Sequence, residues 1–185
     1  MNIYFLRHGF ALHNQEYKYR GTKAFYDIKT IDSPLVEEGV VQAKNVNRLL
    51  KDIEFDYIFS SPLLRCIQTG NLVVPEKKII LDDILLEPQG FHICNKRKDK
   101  NILIDLLKNY NNTFDFENLN ENYDFRKENE NDLKLRTELF FKKLKELKAK
   151  NVLVVSHHDF IKKFFKYNFN EKCYLDNCEI KKILI

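Results

Sequence analysis

No apolar run in the sequence approaches the roughly 20 residues of a membrane-spanning helix, so no membrane-integral segment is expected. The opening stretch, Met1 to Leu6, lacks the basic region and cleavage site of a signal peptide. It also runs straight into Arg7-His8-Gly9, the most chemically suggestive group of residues in the chain. Cysteine is scarce. Cys66, Cys94, Cys173 and Cys178 match no zinc-ligand spacing, and they read as reduced thiols in a cytoplasmic protein. With 5 glycines and 4 prolines there is no Pro/Gly/Ser-rich linker, and no internal repeat is present. Residues 1–185 therefore read as one domain.

What the chain does contain is ample for a packed core. Hydrophobic residues make up 44% and aromatics 13%. A domain of this size buries roughly 70% of the surface its unfolded chain exposes, without disulfide or metal support. The formal net charge is +4, with lysine far more frequent than arginine, which favours an anionic partner only weakly. The lysines between Leu133 and Lys150 alternate with glutamates and read as the solvated face of a helix, so no nucleic-acid partner is expected. The Lys96-Arg97-Lys98 run reads as solvated as well. A sharper alternative places it on a pocket rim, facing a second anionic group of a ligand.

Strands are expected over Asn2 to Leu6, Phe55 to Ser60, Lys78 to Leu81 and Asn151 to Ser156, with an edge strand over Glu179 to Leu184. The run Val152-Leu153-Val154-Val155 is apolar throughout, as in a strand covered on both faces. Helical spacing joins Val40, Ala43, Val46, Leu50 and Ile53, and again Leu133, Phe140, Leu144 and Leu147. Ser61-Pro62 predicts a helix start, with serine as N-cap and proline in the first helical position, ending near Gly70. A last helix is expected from about Asp159 to Tyr167. Phe10 to Pro34 reads as loop. About 88–131 reads as a lid-like insertion holding one short helix near 101–109, with Phe91, Phe114, Phe116 and Phe125 available to bury. Alternating strands and helices predict a three-layer α/β/α sandwich on a mostly parallel sheet. Ligands bind such sheets beyond the carboxyl ends of the strands.

That rule brings three segments to one rim. Arg7 and His8 follow the first strand, Arg65 lies in the first turn of the helix after the second, and His157 follows the apolar strand. A neutral imidazole is a competent nucleophile near pH 7 and can carry a covalent phosphoryl group, provided its other nitrogen is fixed by a hydrogen bond. Arginine forks match the three equatorial oxygens of a transferring phosphoryl group. His157 would add a further donor to those oxygens. A leaving group also needs a proton. Glu87 is the first candidate for that acid, with Asp82 and Asp83 as competitors.

These residues lie in motifs that resemble the histidine phosphatase superfamily, the phosphoglycerate mutase-like enzymes. Leu6-Arg7-His8-Gly9 with Asn14 is similar to the family signature, and Pro34-Leu35 through Gly39 to Gln42-Ala43 to its second motif. Ser60-Ser61-Pro62-Leu63-Leu64-Arg65 with Gln68-Thr69 resembles its second-arginine motif, and Val154-Val155-Ser156-His157 its second-histidine strand. The resemblance implies a nucleophile at His8 and a phosphate pocket from Arg7, Asn14, Arg65 and His157. It further implies an acid at Glu87, no metal and no cofactor. A more distant likeness of Glu87 to Gly90 and Cys94 to Arg97 points to small phosphatase-type members.

The departures bear on the reading. Phe10 and Ala11 stand where many members carry polar residues, and the bulky Phe10 is expected to alter substrate access. Val36 removes the side-chain N-cap of the following helix, at about 1 kcal/mol. His158-Asp159 replaces a small residue after the second histidine. No Glu-Arg-x-Tyr-Gly segment follows Glu87, as it does in the mutases. The expectation is accordingly a metal-independent phosphatase acting on a small phosphorylated molecule. A mutase, an inactive phosphate-binding scaffold, and a metal site built from His8, His13, His92, His157 and His158 are the rivals.

Overall fold

The structure, a computed structural model, describes residues 1–185. Six strands form one sheet: β1 (Asn2–Arg7), β2 (Tyr57–Ser60), β3 (Lys78–Asp82), β4 (Thr113–Asn118), β5 (Asn151–Ser156) and β6 (Ile180–Leu184). Their order is β4-β3-β2-β5-β1-β6, and only β6 runs antiparallel, against β1. The helices are α1 (Leu12–Arg20), α2 (Glu37–Leu50), α3 (Leu64–Val73), α4 (Lys100–Leu107), α5 (Glu130–Glu146) and α6 (His158–Phe169). No helix is long and apolar enough to cross a membrane.

Strand alternation divides the core in two. Leu153 and Val155 of β5 pack with Ala43, Val46 and Leu50 of α2, Ile67 and Val73 of α3, and Leu103 and Leu107 of α4. Val152 and Val154, one residue out of step, face the other way, onto Leu133, Phe140 and Leu144 of α5 and Phe160, Phe164 and Phe165 of α6. The expected three-layer sandwich is the observed one.

Four local expectations are corrected. Residues 12–20 form a helix instead of loop. Its only buried residue is His13, so it has no apolar stripe to betray it. Its first turn is held by Asn14, whose Oδ1 accepts the Ala11 N–H at 3.1 Å. The helix after β2 starts two residues later than expected, at Leu64, and its cap comes from elsewhere in the chain. Asp32 Oδ1 accepts the Leu64 N–H at 2.7 Å. Ser61, expected to be the cap, meets His157 Nε2 at 2.8 Å and accepts only the Leu63 N–H, at 3.4 Å, ahead of the first helical residue. Gly70 does not end this helix. It lets α3 lie close on the sheet, because an added Cβ would sit 3.3 Å from Ile79.

The insertion over 88–131 contains more than a short helix. Thr113–Asn118 joins the sheet as β4, alternating Phe114 and Phe116 on one side. Val36 caps α2 without a side-chain bond, as expected, while Glu37 and Glu38 place negative charge in its first turn. Gly39 is required there, since a Cβ would lie 2.1 Å from the Phe10 carbonyl oxygen.

Candidate active site

A cavity of about 180 Å³ opens beyond the carboxyl ends of β1, β2 and β5, with Arg7, His8, Asn14, Arg65 and Glu87 in its wall. His157 stands directly behind, its ring centroid 5.2 Å from that of His8. The structure therefore brings together all six residues singled out in the sequence, five in the wall and one supporting it.

His8 is 3% exposed. Its Nδ1–H donates to its neighbour's carbonyl, Gly9 O, at 2.8 Å, and Nε2 makes no hydrogen bond to the protein. The main chain here is held tightly. The His8 N–H donates to Ser156 O of β5, and the Gly9 N–H to Thr69 Oγ1 of α3. Segment 170–179 closes from below, with Asn177 Nδ2 donating to His8 O at 2.9 Å. Burial, then the positive charges of Arg65 and nearby groups, holds the His8 imidazole well below its usual range. The ring is neutral at pH 7 and keeps a lone pair on Nε2.

Arg7 donates from one terminal nitrogen to Leu175 O at 2.9 Å, and its buried Nε has no partner. Arg65 is fully buried. It donates to Cys94 O at 3.0 Å and Asn95 Oδ1 at 2.9 Å, and its Nε too is unpartnered. Unsatisfied buried donors are costly and call for an explanation. Two such guanidinium groups lining one cavity fit an anion held between them.

His157 is completely buried, and its Nε2 shares a hydrogen bond with Ser61 Oγ at 2.8 Å. Burial and Arg65 depress its basicity well below the ordinary histidine value. Glu87 follows the turn after β3. Its two carboxyl oxygens accept the backbone N–H groups of Asp159 and Phe160 at 3.2 and 3.1 Å, at the start of α6. Burial first, and the Asp159 charge second, raise it to about 7 despite those two bonds. Arg136 of α5 fixes the turn by donating to Ile84 O at 2.7 Å and Leu86 O at 2.5 Å.

The competing acids are engaged elsewhere. Asp82 is paired with Lys143 at 2.6 Å, and Asp83 with Arg97. Neither reaches the cavity wall. Both readings of the Lys96-Arg97-Lys98 run fail for Arg97. Its guanidinium is buried, forked onto Asp83 at 2.7 and 2.9 Å, bonded to Asn120 O, and stacked over Tyr123. Lys98 turns to Asp32, 3.4 Å away. Phe10 is also absent from the wall. It is buried under Lys18, whose Nζ lies 4.2 Å from the ring centre. No group of three or more His, Cys, Asp or Glu side chains converges in metal-binding geometry.

Residues that the sequence did not single out for this wall are His13, Phe25, His92, Cys94, Asn95, His158 and Asp159. His158 and Asp159 carried a sequence signal as the pair that follows His157, and His13 and His92 appeared, with His158, only in the rival metal site. All but His158 and Asp159 come from α1 and two irregular segments with no readable period.

The whole arrangement follows the sequence pattern described as Histidine phosphatase superfamily (branch 1), which matches residues 3–182. The chain belongs to that superfamily. It is 38% identical over 77 residues to a 2,3-bisphosphoglycerate-dependent phosphoglycerate mutase of Methanococcus vannielii, covering 42% of this chain and 29% of that protein. It is 31% identical over 103 residues to fructose-2,6-bisphosphatase TIGAR B of Danio rerio, covering 52% and 37% respectively. These matches thus span well under half of either relative. Among solved structures, a phosphoglycerate mutase of Bacillus anthracis superposes with TM-score 0.69 at 25% identity, over 98% of this chain and 86% of that one. The fold is phosphoglycerate mutase-like, and the superfamily's members include both phosphatases and mutases.

Proposed function

We propose that this chain is a metal-independent phosphomonoester hydrolase that passes through a phosphohistidine on His8. The observation that carries the reading is the state of His8. It is buried and neutral, tied at Nδ1, free at Nε2, and set in one cavity with two arginines that each keep a donor unpaired.

In the first step Nε2 attacks phosphorus in line and forms an N–P bond as the ester P–O bond breaks. Arg7 and Arg65 hold the equatorial oxygens, with Asn14 beside them in the wall. Glu87, protonated below about 7, gives its proton to the departing oxygen. In the second step Glu87, now a carboxylate, takes a proton from water. The water oxygen attacks phosphorus, the N–P bond breaks, and inorganic phosphate leaves. His157 supports the His8 ring and is itself oriented by Ser61.

Hydrolysis is favoured over mutase chemistry by the sequence after Glu87, which lacks the Glu-Arg-x-Tyr-Gly segment of the mutases. The test is phosphate release from p-nitrophenyl phosphate by wild type and His8→Ala, together with trapping of an acid-labile phosphoryl-enzyme. Equal rates in the two proteins would point to the scaffold reading. Conversion of 3-phosphoglycerate to 2-phosphoglycerate without net release of phosphate would point to the mutase.

A further inference from the structure

One feature of the cavity has no part in phosphoryl transfer. A continuous series of rings leads away from the nucleophile. His8 lies 5.7 Å from His13, His13 lies 6.1 Å from Phe25, and Phe25 lies 4.8 Å from His92, centroid to centroid. Tyr17 stacks on Phe25 at 5.1 Å with planes 6° apart, and Tyr26 meets His92 edge-on at 5.4 Å. Phe25 and His92 are themselves part of the cavity wall.

A second observation concerns charge. Arg7 and Arg65 are the only lysine or arginine residues in the wall. Both face the phosphoryl position, and the phosphoryl oxygens use them. Outside the wall, Arg97 is paired with Asp83, Lys98 with Asp32, and Lys162 with the wall's own Asp159 at 3.9 Å. Burial keeps His13 and His92 below the ordinary histidine value, so neither supplies a cation at pH 7. Apart from His8 and Cys94, the remaining titratable wall residues are the carboxyls Glu87 and Asp159 and one further histidine, His158, whose Nδ1 lies 3.3 Å from Leu175 O. A second phosphate or carboxylate on the substrate would lose water without gaining a cation, and would face a like charge.

Building on the hydrolase reading above, we infer that the site selects phosphomonoesters whose leaving group carries no second anionic group, and that Phe25 and His92 form the aromatic surface on which that leaving group rests. Bisphosphates and phosphorylated carboxylic acids are excluded by the lack of a second cationic subsite. A flat or apolar alcohol gains contact area along the rings, with the offset or edge-on geometry aromatic groups prefer.

The test compares kcat/KM for phenyl phosphate, 4-carboxyphenyl phosphate and glycerol 2-phosphate, read by release of inorganic phosphate. The first two differ by one remote carboxylate on the same ring. Phenyl phosphate should exceed 4-carboxyphenyl phosphate by about tenfold or more. Phe25→Ala should lower kcat/KM for phenyl phosphate by about threefold to tenfold, mainly through KM, and leave glycerol 2-phosphate within about twofold. His92→Lys should narrow the gap between the two aryl esters. His8-dependent turnover in which the carboxylated ester is as good as phenyl phosphate, or in which Phe25→Ala affects all three equally, overturns this inference and leaves the hydrolase standing. No His8-dependent release from any of the three overturns both.

Discussion

Replacing Glu87 by glutamine should remove activity and raise stability together, and both effects depend on pH in a defined sense. In the folded chain this carboxyl holds its proton up to about 7, against 4.5 ordinarily, because burial and Asp159 disfavour the charge. Between those two values the unfolded chain has released the proton while the folded chain keeps it. Stability therefore falls as pH rises through that window, and the cost is fully present above about 7. Each tenfold difference in proton affinity is about 1.4 kcal/mol, so the penalty approaches ~3 kcal/mol at pH 8.

Glutamine is shaped like the protonated acid and never pays it. It offers one acceptor oxygen where Glu87 uses two, for Asp159 and Phe160 N–H, and losing one of those bonds costs about 1 kcal/mol. The net gain for Glu87→Gln is on the order of 2 kcal/mol at pH 8, or about 4–8 °C in Tm for a chain of this size. At pH 4 both wild-type states are mostly protonated, so the gain vanishes and the lost hydrogen bond leaves the variant about 1 kcal/mol less stable than wild type. Over the same range, turnover of an alkyl phosphate should drop by about 10²- to 10⁴-fold on loss of the acid. An ester with a good leaving group should suffer much less in the first step. The measurements are calorimetric melting from pH 4 to 8 and steady-state kinetics on the two ester classes. A Tm difference that does not grow with pH, or equal losses in kcat/KM on both esters, would refute the assignment of a raised, proton-donating Glu87.

Three other perturbations separate the site from its supports. Asp32→Ala should lose the borrowed cap of α3 and about 1–2 kcal/mol, while Asp32→Asn, which keeps an acceptor oxygen for Leu64, should recover most of it in urea titrations. Arg97→Ala leaves Asp83 without its forked partner and should destabilise by about 3–5 kcal/mol, with relative kcat/KM across substrates unchanged in whatever folds. Ser61→Ala removes the oxygen partner of His157 Nε2, leaving only Cys66 Sγ at 3.4 Å, and should cost about 1–3 kcal/mol. It should also raise the rate of His8 modification by diethyl pyrocarbonate, because the ring behind His8 is no longer oriented.

The order of five strands and five helices, though not α1 or β4, and the rim of the site were legible in the sequence because both rest on local patterns. Apolar runs such as Val152 to Val155 specify strands by period and length. A residue at a strand end, such as His8 or His157, lands at the carboxyl rim of a parallel sheet whatever its neighbours do. Burying one residue alternation on each side of β5 then fixes the layers.

What the chain alone did not reveal was decided by contacts across long sequence separations. Helix α1 has no apolar stripe because it is polar and lines the cavity with His13 and Asn14, so its period is invisible. The N-cap of α3 passes from Ser61 to Asp32 because the Ser61 hydroxyl has a stronger claim on it, a fully buried histidine 96 positions away. Arg97 is indistinguishable from a surface cation in sequence, and only the folded insertion sets Asp83 and Tyr123 against it. Sequence period reports which face of an element is apolar. Which polar group meets which, and hence which charges remain free to meet a substrate, is a property of the packed chain alone.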